Sequence, residues 1–123
     1  MLSDTFSIAL SDLRDGISPN LSPERIAANF DIGIQEIAEL AGVQRNTILH
    51  NPGAPRLQMY LRDVLRVLVA ASETQLPESQ IYFFVKNAPL SPFDHKTALA
   101  LVSEGRTDDV VKYLASITSG FVG

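Results

Sequence analysis

The stretch Ile37-Ala38-Glu39-Leu40-Ala41-Gly42-Val43-Gln44-Arg45-Asn46-Thr47-Ile48 leaves the chain little choice of local fold. Ile37 and Ala38 fall on the inner side of one helix. Gly42 follows Ala38 by four residues, where a tight turn needs positive φ and has no room for a Cβ. Val43 is an apolar plug in that turn. Ile48, five residues further, points back toward the core from a second helix. Arg45, Asn46, Leu49 and His50 are left facing outward. This is helix-turn-helix spacing, and the donors of Arg and Asn match base edges in the major groove. Gln44, Arg45, Asn46, Thr47, His50 and Arg56 are therefore the candidate DNA-binding residues.

A chain of 123 residues buries one ordinary core, or two small ones. With 46% hydrophobic and 20% charged residues it has the composition of a folded protein. The absence of cysteine excludes a disulfide scaffold and a thiolate metal site, and suits a reducing cytoplasm. The longest apolar run, residues 64–71, is interrupted by Arg66 and falls far short of the roughly 20 residues of a membrane helix. Met1-Leu2-Ser3-Asp4 carries neither a basic region nor an apolar signal core. The expectation is a cytoplasmic chain with no membrane partner.

The net charge of −4 argues against a non-specific nucleic-acid coat. Its distribution is uneven. Residues 1–44 carry a net −5, residues 45–66 a net +3 and residues 67–123 a net −2. The positive segment begins at the second helix of the motif, where phosphate contact would require it.

Further signals divide the chain into elements. A short helix is expected at Phe6–Arg14, with Leu10, Leu13 and Ile17 as its stripe. Ser22-Pro23-Glu24 reads as N-cap, first helical residue and first-turn acid of a helix running to about Phe30. Gly33 opens the first helix of the motif, and Asn51-Pro52-Gly53 ends the second. Leu57, Leu61, Val64, Leu65 and Leu68 repeat along one face of a helix over Pro55–Ser72. Arg62 and Arg66 share another side of it, a spacing suggestive of either an anionic partner or two solvated cations.

Thr74–Pro77 is a polar break, taken as the boundary between regions 1–74 and 75–123. Beyond it, Glu78–Lys86 reads as an aromatic-rich helix with Tyr82, Phe83 and Phe84, and Asn87–Phe93 as a loop set by two prolines. Thr97 is placed to cap a helix through Glu104, closed by Gly105 as a left-handed residue. Thr107 is expected to cap a last helix, whose first turn carries Asp108 and Asp109. Val110, Val111, Leu114 and Ile117 form its buried stripe, and Gly120-Phe121-Val122-Gly123 follow as an apolar tail. No segment shows alternating strand patterning bounded by turns, so the fold class is all-α.

Three blocks of the last third carry a family resemblance. They are Phe84-Val85-Lys86-Asn87-x-Pro89-Leu90-x-x-Phe93, then Lys96-Thr97-Ala98-x-x-Leu101-Val102-x-Glu104-Gly105-Arg106, then Tyr113-Leu114-x-x-Ile117-x-x-Gly120-x-x-Gly123. They resemble the toxin-binding domain of the Xre/MbcA/ParS antitoxin family, in which a helix-turn-helix precedes that domain. The resemblance spans roughly residues 22–123. Many members place a Trp in the first helix of the domain, where this chain has Phe83 and Phe84. Gly33 and Gln44 stand where Xre-type motifs usually have Ser caps.

The resemblance implies an Xre-like helix-turn-helix bundle followed by a small helical toxin-binding module. It implies a type II antitoxin that blocks the active site of a RES-domain, NAD-depleting toxin and represses its own operon by binding operator DNA. The implied toxin-facing residues are Lys96, Thr97, Leu101, Glu104, Arg106, Gly120, Phe121, Val122 and Gly123. A homodimer within a larger toxin–antitoxin complex is expected, since paired recognition helices read paired half-sites. The tail has no charged side chain, which suits a plug for a cleft built around a nucleotide. Folding of Phe121 and Val122 back onto the last helix is the other reading.

The sequence offers little catalytic chemistry. His50 and His95 are its two histidines, and neither has a partner at metal-ligand spacing. Asp94-His95 sits in a proline-bounded loop, where adjacent residues rarely present both side chains to one substrate. Asp108-Asp109 reads as a helix start. The expectation is a non-enzyme without cofactor or metal. Two other readings use the same residues: a stand-alone transcriptional regulator whose C-terminal module dimerises, and an interaction adaptor with a vestigial helix-turn-helix.

Overall fold

The computed structural model of the chain describes residues 13–14 and 19–119. Among them are seven α-helices: α1 (Pro23–Phe30), α2 (Ile34–Ala41), α3 (Arg45–His50), α4 (Pro55–Ser72), α5 (Ile81–Asn87), α6 (Ala98–Ser103) and α7 (Thr107–Thr118). Single 3-10 turns stand at Glu78–Gln80 and Ser91–Phe93. The described residues contain no strand, only isolated bridges pairing Arg14 with Leu21 and Leu90 with Lys96. The all-α expectation holds. The chain forms two compact units, divided between Arg62 and Asp63.

In the first unit, the Ser22 hydroxyl accepts the Arg25 backbone N–H at 3.1 Å, with Pro23 as the first helical residue. α2 starts at Gly33 and α3 at Gln44, neither with a side-chain cap. Between them Gly42 takes φ +71°, the left-handed value that the turn demands. Ile26, Phe30, Ile37, Ile48, Leu57 and Leu61 fill the core. Of the helix expected at Phe6–Arg14, Leu13 and Arg14 are described and form a turn and a bridge; the rest, with Leu10 and Ile17, lies outside the described residues.

A buried polar clasp closes this core. The Gln58 side chain accepts the Leu21 N–H at 2.9 Å and donates to the carbonyls of Leu21 and Pro52, each at 2.8 Å. One amide on α4 thereby satisfies the buried backbone of Leu21 before α1 and ties it to the half-buried loop after α3. The Tyr60 hydroxyl is also buried, but it has no hydrogen-bond partner among the described residues. Burial, and behind it the charge of Glu36, pushes its pKa up.

The second unit is organised around the last part of α4, with Val64, Val67, Leu68 and Ala71 buried. Ile81, Val85, Leu90, Leu99, Leu101, Val102, Val110 and Leu114 complete its core. Leu65, expected in the stripe, is only half-buried. Thr97 caps α6 through a 3.2 Å bond accepted from the Ala100 N–H, and Gly105 takes φ +83° as expected.

Two expectations for α7 need correction. Arg106, with φ −104°, is the residue flanking the helix, and Thr107 is its first residue. With helical backbone, the Thr107 hydroxyl is turned inward; it is buried and without a hydrogen-bond partner among the described residues. Ile117, assigned to the buried stripe, is 45% exposed. It stands three residues past the fully buried Leu114, where the stripe runs out of core to pack against.

Candidate functional sites

The first candidate surface is built on α3 and the start of α4. Ile48 is fully buried and fixes the rotation of α3. Gln44, Arg45, Asn46 and His50 are exposed, and Thr47 is half-buried. Leu49 is 48% exposed beside them. Arg56, on the first turn of α4, lies against the α2–α3 turn: a Cβ on Gly42 would come within 2.8 Å of its Nη2. Gly42 is therefore required twice, by its φ and by the approach of this guanidinium. Among the described residues, no acid lies within ion-pair distance of Arg45, Arg56 or Arg62. All six residues expected to bind DNA thus fall on the accessible side of this segment, Thr47 least so.

The second candidate surface surrounds α6. Lys96 Nζ reaches both carboxylate oxygens of Glu104, at 2.9 and 3.0 Å. Arg106 Nε donates to Asp109 at 3.2 Å, and its guanidinium stands 5.0 Å from the centre of the Phe93 ring. Phe93 meets Tyr113 edge-on at 5.8 Å. Arg106 is thus held from both sides, by an aromatic face and by an acid one helical turn on. Arg66 pairs with Asp108 at 2.8 Å and more loosely with Asp63 at 3.7 Å, so of the α4 pair Arg62 and Arg66 the second is spoken for within the fold.

The residues expected to face a toxin have unequal access. Lys96, Glu104 and Arg106 are exposed. Thr97 spends its hydroxyl on the helix cap. Leu101 is fully buried, so its side chain supports α6 from the core instead of contacting a partner. Gly120, Phe121, Val122 and Gly123 lie outside the described residues.

The loop preceding α6 is tightly closed. The N–H groups of Leu90 and His95 donate to the carbonyls of Lys96 and Leu90, at 3.0 and 3.1 Å. Asp94 and His95 both adopt positive φ, 58° and 65°, a costly conformation for residues with a Cβ. Both are exposed.

Sequence reasoning missed an apolar groove in this unit. Thr74, Gln75, Leu76, Phe84, Leu114 and Ile117 enclose about 260 Å³. Phe84 lines it, whereas Phe83 projects into solvent, 70% exposed. Of the two adjacent aromatics, Phe84 is therefore the one that packs. The available signal was the apolar stripe of α7 running on to Ile117, one residue before the helix ends. On the same helix as Phe84, burial raises the Tyr82 hydroxyl to about 12.

No group of three or more His, Cys, Asp or Glu side chains among the described residues is arranged to hold a metal ion. No described helix is long and apolar enough to cross a membrane.

No protein-family model and no curated protein sequence matches the chain. Its structure is similar to a chain of the crystal structure of the M. tuberculosis MbcT–MbcA toxin–antitoxin complex. The TM-score is 0.60 at 15% sequence identity, over 83% of this chain and 95% of that one. At that identity the likeness establishes a shared all-helical fold.

Proposed function

We propose that this chain is the antitoxin of a toxin–antitoxin pair. Its C-terminal region neutralises a RES-domain, NAD-depleting toxin by occupying the toxin's active-site cleft. Its N-terminal region represses its own operon by inserting the helix-turn-helix formed by α2 and α3 into operator DNA. The observation that carries this reading is the fold likeness to a chain of a toxin–antitoxin complex across most of both chains. The sequence blocks from Phe84 to Gly123 support it independently.

In this reading Arg45 and Asn46 read base edges, Gln44, Thr47, His50 and Arg56 hold the phosphate backbone, and Leu49 offers an apolar contact. Lys96, Glu104 and Arg106 contact the toxin, and residues 120–123 enter its cleft. The chain works in the cytoplasm as a homodimer, matching paired half-sites, and performs no chemistry of its own.

Co-expression tests the proposal. The neighbouring open reading frame alone should arrest growth, and this chain should restore it. An innocuous neighbour, or arrest that this chain leaves unchanged, ends the antitoxin reading.

A second reading has an observation in its favour. Among the described residues Arg45, Arg56 and Arg62 lack acidic partners, whereas Lys96 and Arg106 are paired within the chain. A stand-alone regulator, whose C-terminal module only dimerises, would look like this. Deletion of residues 120–123 would then leave every partner but a second copy unaffected.

A further inference from the structure

Among the described residues five take positive φ. Gly42 and Gly105 do so without a Cβ to strain. Asp31 ends α1, its N–H donating to the carbonyls of Ala27 and Ala28. Asp94 and His95 remain, consecutive in sequence and ending no α-helix.

The loop around them is firmly framed. The N–H groups of Phe93 and His95 share the Leu90 carbonyl at 2.9 and 3.1 Å, and the Lys96 N–H meets the Phe93 carbonyl at 3.1 Å. Lys96 is tied to Glu104 past α6, and Phe93 is tied to Arg106 and Tyr113 at α7. Left-handed residues with a Cβ persist where their surroundings over-determine them, and this frame does so. Asp94 and His95 add no side-chain bond to it among the described residues, and both are exposed. Glycine or asparagine would hold the same backbone with less strain. What this pair offers is therefore turned outward.

Charge narrows the partner. Lys96 is matched by Glu104 and Arg106 by Asp109, so the Asp94 carboxylate is left as the uncompensated charge at the tip. An acidic tip is repelled by nucleic acid and attracts a cationic protein surface.

We propose that Asp94 and His95 form a preorganised contact for an arginine or lysine side chain on the protein partner of the second unit. This rests on the antitoxin reading and adds two residues to its toxin-facing set. Both fall between the sequence blocks that carry the family resemblance. The carboxylate supplies the charge, and the imidazole beside it a planar surface and a hydrogen-bonding nitrogen. The backbone is fixed before the partner arrives, so contact costs little further ordering.

The test uses the full chain and the purified product of the neighbouring open reading frame. Asp94→Asn removes the charge and His95→Gly the ring, and both replacements accept positive φ. Each should bind the product about tenfold more weakly than the parent, and Asp94→Asn should also flatten the salt dependence of that binding. Neither should melt below the parent or lose operator binding. Parent-like affinity in Asp94→Asn, or an unchanged salt dependence, overturns the proposal. So does a melting temperature lowered by several degrees, which would make the side chains props of the loop. Weakened self-association with the product bound as before also overturns it, and would assign the tip to a second copy. A parent that does not bind the product ends the antitoxin reading and this assignment together, whereas a binding parent matched by its Asp94→Asn variant ends the assignment alone.

Discussion

In the unit ending at Arg62, the cations of the accessible face are uncommitted: Arg45, Arg56 and Arg62 stand without acidic partners among the described residues. In the unit beginning at Asp63, Lys96, Arg106 and Arg66 are each tied to a carboxylate of the same unit. The interiors reverse the contrast. The first unit holds a buried polar clasp at Gln58, while the second leaves an apolar groove open beside Ile117. An unpaired cationic face suits a polyanion, whose association gains from counterion release. A unit whose cations are satisfied internally and which keeps an apolar groove suits a protein partner, where recognition depends on shape and on few exposed anchors.

The sharpest way to break this contrast is to remove the clasp. Gln58→Leu leaves the buried Leu21 N–H and the Leu21 and Pro52 carbonyls without their partner, and should cost about 3 kcal/mol in urea unfolding. A loss below about 1 kcal/mol would mean that water replaces the amide and that the clasp is not what closes the first unit. Next, Arg45→Ala should weaken specific operator binding by about 1–3 kcal/mol and flatten its salt dependence, while Arg106→Ala changes neither. Equal effects from both would erase the division of labour.

Caps give smaller effects of opposite sign in the two units. Thr97→Ala removes an observed cap and should destabilise by about 1 kcal/mol, whereas Gln44→Ser adds a missing one and should stabilise by a similar or smaller amount in thermal unfolding. Breaking the exposed Lys96–Glu104 pair with Lys96→Ala should cost no more than about 0.5 kcal/mol, even though it would be felt in partner binding. The last effect is nil at neutral pH. Burial holds the Tyr82 proton to about 12, above the unfolded value of 10. Its contribution is therefore intact below pH 10 and is lost as pH rises toward 12, and Tyr82→Phe should blunt that alkaline decline.

Much of the fold was legible because short-range rules set it. Ser22-Pro23 and Thr97 announce helix starts through caps that any local sequence reading detects, and Gly42 and Gly105 announce stops through a backbone conformation that few other residues accept. The stripe from Leu57 to Leu68 gave the long helix its buried face. What escaped depends on contacts distant in sequence. Nothing around Gln58 says that its amide meets a backbone 37 residues earlier. Thr107 looked like a cap because threonine commonly is one, but the backbone at Arg106 begins the helix one residue sooner. Ile117 obeyed the helical period yet found no core to enter. On the candidate sites, spacing placed the outward residues of α3, whereas the support of Arg106 by Phe93 and Asp109 needed the fold to bring a loop and a helix together.

The most direct test of two separable faces is growth on co-expression with the neighbouring open reading frame, read alongside operator binding for two variants of the full chain. The account predicts that Arg45→Ala/Asn46→Ala abolishes operator binding and still rescues growth, and that deletion of residues 120–123 abolishes rescue and leaves operator binding intact. Loss of both activities in either variant, with the fold retained by circular dichroism, would contradict it.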